Sequence, residues 1–235
     1  RAVTWTQVAQ YIVLIIAYLI PVFWMSNKQG FGLIPQLAYG EAVQRVTELE
    51  QMHQVGVLKP TESFAGLKAL TVPFVEAGTG MSSWKFVTLA FCMMAGTASL
   101  PHILMRYFTT PSVKSARRSV AWSLFFIFLL YFTAPALATF TKLQILDPNL
   151  ATGIIGKSIA EVNAIDWIQK WSAVKFLAIS DTNGDGILQI NEFFMRGDIV
   201  VLATPEIAGL PYVISGLVAA GGMAAAMSVS YTHLT

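Results

Sequence analysis

Hydrophobic and polar positions fall into long blocks along this chain. Four stretches contain no Asp, Glu, Lys or Arg: Ala2–Asn27, Phe86–Met105, Ser119–Thr141 and Ile207–Thr235. A helix needs about 20 apolar residues to cross ~30 Å of hydrocarbon, and every one of these stretches is long enough. The pattern predicts four transmembrane helices, over about 5–25, 86–106, 119–141 and 208–228. The first contains the run Tyr11–Met25 and the third the run Val120–Phe140, both rich in large apolar residues. The second and fourth carry small residues instead: Gly96, Thr97, Ala98 and Ser99, then Gly216, Gly221 and Gly222 beside an alanine run. Small residues let helices approach closely, so these two are expected to lie among other helices. Core helices of a large soluble protein are the competing reading, and four such spans argue against it.

Composition points the same way. The chain has 235 residues, 55% of them hydrophobic and only 12% charged, with a mean hydropathy of +0.60. A soluble domain carries about 25% charged residues. Disorder, a coiled coil and a nucleic-acid arm are excluded. The net charge of +2 implies no polyanionic partner, and the expected partner is the lipid bilayer. The single cysteine, Cys92, lies in an apolar run, so there is no disulfide framework. The first residue is Arg1, directly ahead of an apolar run, which reads as an internal fragment of a longer membrane protein.

Charge asymmetry orients the spans. The loop between the second and third holds Arg106, Lys114, Arg117 and Arg118 and no acidic residue. Segment 26–85 holds five basic and five acidic residues, and segment 142–206 five basic and eight acidic. The basic loop is expected in the cytoplasm and the two long loops outside it, in the topology of a bacterial inner-membrane protein.

The first outer loop contains an amphipathic segment, Glu41–Met52, with Val43, Val46, Leu49 and Met52 spaced for one helical face. His53 follows it and reads as a surface histidine, with a metal role beside Glu50 as the alternative. The second outer loop carries the most specific local motif. Asp181–Glu192 fits the twelve-residue EF-hand calcium loop. Asp181, Asn183 and Asp185 offer side-chain oxygens, Gly186 the sharp turn, Ile187 a backbone carbonyl, Gln189 a direct or water-mediated ligand, and Glu192 a two-oxygen closure. An entering helix is expected over Asp166–Ile179 and an exiting helix from Asn191, giving an EF-hand-like segment over 166–201. Only one such loop occurs, so a structural Ca2+ staple is favoured over a paired sensor.

Three stretches, Arg1–Val22, Met94–Ser123 and Gly209–Ser228, together resemble the sodium:solute symporter family, and within it the cation/acetate symporter branch. The second carries most of the likeness: Gly96-Thr97-Ala98, then Pro101-His102 and Arg106, then Arg117-Arg118-Ser119. The resemblance implies an all-α integral membrane protein with part of a leucine-transporter-type fold, a bundle of two inverted repeats. The four spans would be the last helix of one repeat and the first three of the next. Span two then looks like an interrupted helix whose break, at Gly96, Thr97, Ala98 and Ser99, bounds the solute site. Backbone N–H groups and the Thr97 and Ser99 hydroxyls there are expected to meet a carboxylate. Span four looks like the helix that supplies the Na+ site. On the family pattern Ala-x-x-Ser-Thr this chain offers Ala225 and Ser228, but has Val229 where a second hydroxyl is expected. The tail Val229–Thr235 departs from the family and reads as non-native. His102 is either a protonatable coupling group or an interfacial histidine bonded to a carbonyl.

The resemblance implies sodium- or proton-coupled uptake of acetate or a similar short monocarboxylate. Pyruvate, propionate or proline remain alternative solutes, and a symporter-like sensor module of a signalling protein is the alternative class. No nucleophile–base pair and no zinc spacing occurs, so no enzyme is expected.

Overall fold

The computed structural model describes residues 2–32, 34–52, 82–99, 110–150 and 152–233, with side chains described between residues 8 and 227 of these. His53, His102 and Arg106 lie outside the described residues. The chain divides into two units, one of Arg1–Leu70 with Tyr131–Thr235 and one of Thr71–Leu130.

In the first unit, helix α1 (Ala2–Lys28) leads into α2 (Pro35–Met52). The last turns of α4 (Val113–Leu146) follow, then the short helices α5 (Ile159–Asn163) and α6 (Asp166–Ala173). A hairpin of β1 (Leu177–Ile179) and β2 (Phe193–Met195) comes next. Helix α7 (Val200–Ile207) and the long apolar α8 (Tyr212–His233) complete it. Val8–Lys28 and Val113–Leu146 are long and apolar enough to cross a membrane.

Helix α8 packs on α1. The closest approach is at Gly221, where an added Cβ would lie 3.2 Å from the Ala17 Cβ and 3.5 Å from the Leu14 Cα. Small residues on span four thus serve the close packing expected of them. The helix also runs on through His233, so the backbone of Val229–His233 is helical where the tail was expected to leave the span. No Gly or Pro after Gly222 interrupts it.

Two apolar clusters hold the unit together. One joins Val22 and Met25 of α1, Ala38 and Ala42 of α2, and Ala136, Leu137 and Phe140 of α4. The other gathers Val46, Leu49, Leu143, Leu146, Trp167, Ile168, Leu177, Leu188 and Phe193 beneath the hairpin. Helix α2 begins six residues before the expected Glu41. Its buried face is also rotated. Ala38, Ala42, Val46, Leu49 and Glu50 are buried, while Met52, expected on the apolar face, is 65% exposed. The stripe follows the i, i+4 row from Ala38 through Ala42 and Val46 to Glu50. Lys142 of α4 is the charge that accompanies Glu50 into the core.

The helix expected over Asp166–Ile179 stops at Ala173. Lys175 has φ +60, its N–H donates to the Ser172 carbonyl at 2.9 Å, and the Phe176 N–H reaches back to the Trp171 carbonyl at 3.1 Å. This is a Schellman ending with Lys in the left-handed position usually held by Gly. The apolar residues beyond it, Leu177 to Ile179, then pair with Phe193 to Met195. The expected exiting helix is accordingly a single 3-10 turn, Ile190–Glu192, followed by strand β2. A strand-flanked loop thus replaces helix–loop–helix, because aromatic and β-branched residues on both arms favour the pleated pairing.

The second unit contains α3 (Ser83–Ala98), whose first turn is capped by the Ser82 hydroxyl accepting from the Lys85 N–H at 3.4 Å. The amino-terminal part of α4 also belongs to it. No described residue of α3 is buried. Phe91, Met93 and Met94 stand 64–72% exposed. The burial expected for span two is therefore absent within its unit. So apolar a surface requires lipid or further helices to cover it.

Candidate functional site

The residues singled out in the sequence fall at three places. The most fully built is the Asp181–Glu192 loop between β1 and β2. Gly186 at its sixth position has φ +71, a conformation open to Gly without a Cβ penalty. The Asp181 carboxylate turns the chain over, accepting from the Gly184 N–H at 2.7 Å and the Gly186 N–H at 3.1 Å. Asn183 Oδ1 accepts from the Asp185 N–H at 3.0 Å, and Asp185 Oδ1 from the Ile187 N–H at 2.8 Å. The Ile187 N–H, together with the side-chain amides of Asn183 and Gln189, holds the Asp185 carboxyl below the usual carboxylate range. Glu192 is buried to 3% exposure. Its two oxygens accept from the Thr182 N–H at 2.9 Å and the Gln189 N–H at 3.1 Å.

These bonds bring carboxylate oxygens of Asp181, Asp185 and Glu192 within 4.8 Å of one another. Oxygens on opposite sides of a calcium ion, each 2.3–2.6 Å from it, lie about 4.6–5.2 Å apart. The donor set is all oxygen and anionic, so its chemistry fits a hard divalent cation. Gln189 Nε2 donates to Asp185 Oδ2 at 2.8 Å. Ligation by the Gln189 amide oxygen would need that side chain to turn.

The sequence reading did not find what supports this loop from behind. Ile187 and Ser158 form an antiparallel bridge. The Leu188 N–H donates to the Lys157 carbonyl at 2.8 Å, and the Gly156 N–H to the Leu188 carbonyl at 2.9 Å. The segment Gly156–Ser158 thus takes the place that a second loop occupies in a paired arrangement. Leu188, fully buried, anchors the loop in the apolar cluster below. The one available signal was Leu188 itself, an apolar residue at the eighth position of the loop.

At the second place, the end of α3, Ser99 caps the helix and its N–H donates to the Ala95 carbonyl at 3.0 Å. The Thr97 hydroxyl donates to the Met93 carbonyl at 2.6 Å and the Ser99 hydroxyl to the Gly96 carbonyl at 3.1 Å. Gly96–Ser99 therefore form a helix carboxyl terminus, which presents carbonyl oxygens and the negative end of the dipole. Gly96–Ser99 do not themselves offer the free backbone N–H donors expected there for a carboxylate.

At the third place, Ala225 is half-buried on α8 and Ser228 continues the same helix. Gly96–Ser99 belong to one unit and Ala225 and Ser228 to the other.

The family model of sodium:solute symporters matches residues 1–165. The chain belongs to the sodium:solute symporter family. It is 36% identical, over an alignment 311 positions long, to an uncharacterized symporter of Cupriavidus necator, an alignment covering 98% of this chain and 44% of that protein. It is 32% identical over 81 residues to a monocarboxylic acid transporter of Corynebacterium glutamicum, covering 34% of this chain and 15% of that protein. The chain thus spans less than half the length of these relatives. No solved structure matches it. As a family member with, among the described residues, two helices long and apolar enough to cross a bilayer, this symporter chain is an integral membrane protein.

Proposed function

We infer that this chain forms part of a secondary transporter that couples inward sodium flow to the uptake of a short monocarboxylate such as acetate. The family match over residues 1–165 carries the reading, and the relative named a monocarboxylic acid transporter supports the solute class. The fold proposed for the complete protein is the leucine-transporter type, worked by alternating access.

In this reading the break at Gly96, Thr97, Ala98 and Ser99 borders the solute. Small side chains leave room there for a small carboxylate. Sodium is assigned to α8 through the Ala225 carbonyl and the Ser228 hydroxyl, with Val229 leaving one oxygen ligand to come from elsewhere. His102 is assigned the role of a protonatable group beside the pathway. The Asp181–Glu192 loop is assigned to Ca2+, held by Asp181, Asn183, Asp185, the Ile187 carbonyl, Gln189 and Glu192. The ion's charge would neutralise the clustered carboxylates and fix the loop that joins the two strands.

Acetate uptake by Gly96→Leu and Thr97→Val, in a full-length symporter carrying this chain's sequence, tests the solute assignment. Gly96→Leu fills the break and should abolish uptake with normal membrane insertion. Thr97→Val keeps the volume and removes the hydroxyl, which must turn from the Met93 carbonyl to donate to the solute, and should raise the half-saturating concentration by about tenfold, some 1–2 kcal/mol. Normal uptake by both variants at matched expression would make Gly96–Ser99 ordinary helix surface.

A further inference from the structure

The first turns of α4 carry a cluster of cations that the transport reading leaves without a task. Lys114, Arg117 and Arg118 are all exposed. Among the described residues none of the three forms an ion pair. No Asp or Glu lies between Glu76 and Asp147 in the sequence, so the stretch supplies no counter-charge of its own. Lys114, Arg118 and Trp122 follow one i, i+4 row of the helix, and Arg117 stands three residues from Lys114 on the same side. The Trp122 ring is stacked 6.2 Å from Phe126 and lies edge-on 6.1 Å from Phe125. It nevertheless remains 56% exposed. Beyond Arg118 the helix is uncharged through Thr141. One face of α4 thus presents cations, then an aromatic ring, then apolar side chains, in order along its axis.

We propose that this face of α4 binds the headgroup of an anionic phospholipid such as phosphatidylglycerol. The spacing matches the layers at one side of a bilayer. Headgroups and interface occupy about 5–8 Å beyond the hydrocarbon core on each side. Arg118 precedes Trp122 by four residues, about 6 Å of helix rise. With the indole at the interface, its preferred depth, Arg117 and Arg118 reach the phosphate layer and Lys114 lies one turn further out. Guanidinium forks pair with phosphate oxygens two at a time, and the Lys114 ammonium adds a point charge. The amino terminus of α4 adds the positive end of the helix dipole. A zwitterionic lipid brings the same phosphate but also its own cation, which this cluster repels, so the site selects net negative charge. Membrane orientation needs only an excess of Lys and Arg in the segment. It does not call for cations in one row with an exposed, ring-packed Trp. The assignment rests on the membrane location of the chain and on no choice of solute or coupling ion.

The test counts bound lipid and needs no transport. A full-length symporter carrying this chain's sequence is purified in detergent with equal amounts of phosphatidylglycerol and phosphatidylcholine. Native mass spectrometry then counts the lipids retained. The parent should keep phosphatidylglycerol over phosphatidylcholine by at least about fivefold. Arg117→Gln combined with Arg118→Gln should cut phosphatidylglycerol retention by at least about fivefold. Arg106 and Lys114 keep the segment basic in that variant, so its orientation should hold. Trp122→Ala leaves every charge in place and should cut retention at least about twofold, which separates a built site from loose attraction. Lys157→Gln with Lys175→Asn removes the same charge from the other unit and should change nothing. Unfolding temperatures in phosphatidylcholine alone should match the parent's for all of these variants. Equal retention of the two lipids by the parent, undiminished retention after the double arginine replacement, or equal losses in the two charge variants would overturn the proposal. Displacement of the lipid by millimolar inorganic phosphate would also overturn it, in favour of a free anion.

Discussion

Lys142 on α4 and Glu50 on α2 form an ion pair with side-chain exposures of only 8% and 3%. Two charges withdrawn from water in this way recover their desolvation only through each other and their hydrogen bonds. Removing one partner leaves the other charge buried without this ion pair. Lys142→Met or Glu50→Leu alone should therefore lower unfolding stability by about 3–5 kcal/mol, and the double replacement should cost far less than the sum. Thermal unfolding of the four proteins in one detergent measures the cycle. Additive losses would show that the two charges do not depend on one another.

The contact of α1 with α8 turns on one missing side chain. Gly221 faces Ala17 so closely that a Cβ would sit 3.2 Å from the alanine methyl. Gly221→Val should force the helices apart and cost about 1–3 kcal/mol. Gly216→Ala, with nothing within 4 Å of the added carbon, should be neutral or slightly stabilising. Unfolding midpoints of the two variants against the parent separate a packing role from a general intolerance of change in α8.

Calcium should bind the Asp181–Glu192 loop, and calorimetry on the full chain with a Glu192→Gln variant checks it. Losing one charged, two-oxygen ligand should weaken binding by at least about tenfold. Removing calcium with a chelator should lower the unfolding temperature of the parent and leave the variant nearly unmoved. No heat at millimolar calcium, and no chelator effect, would leave the loop as a hydrogen-bonded turn.

The charge pattern predicts that the basic segment Arg106–Arg118, which includes the first turns of α4, is cytoplasmic and that the β1–β2 loop lies outside. Single cysteines at Ser115 and Ser180, in a full-length symporter with Cys92 replaced, should differ on intact cells. An impermeant thiol reagent should label position 180 and spare 115. The reverse pattern would invert the topology.

The long elements were legible because charge is excluded from hydrocarbon. The uncharged blocks mark α1, the apolar part of α4 and α8, and the overshoot of α4 to Leu146 arises because the helix leaves the apolar block and enters the folded segment that follows. The aspartate–asparagine–glycine spacing of the loop was legible because backbone turns and oxygen ligands demand those residues in that order. Three features were hidden, for identifiable reasons. Lys175 holds a left-handed position that propensity assigns to Gly, so nothing local marked the end of α6. Glu50 reads as a surface charge until Lys142, 92 residues away, is brought beside it. The Thr97 and Ser99 hydroxyls looked available for a solute, yet each bonds a carbonyl of its own helix, a local choice that Ser and Thr commonly make.

Sodium-driven uptake tests the central claim most directly. A full-length symporter carrying this chain's sequence is reconstituted into sealed vesicles, and entry of radiolabelled acetate is followed with an inward sodium gradient, an inward potassium gradient, or none. The account predicts concentrative uptake with sodium alone, collapse on adding a sodium ionophore, and competition by other short monocarboxylates. Acetate entry that is the same under all three conditions, or absent while sodium drives a solute of another class, would contradict it.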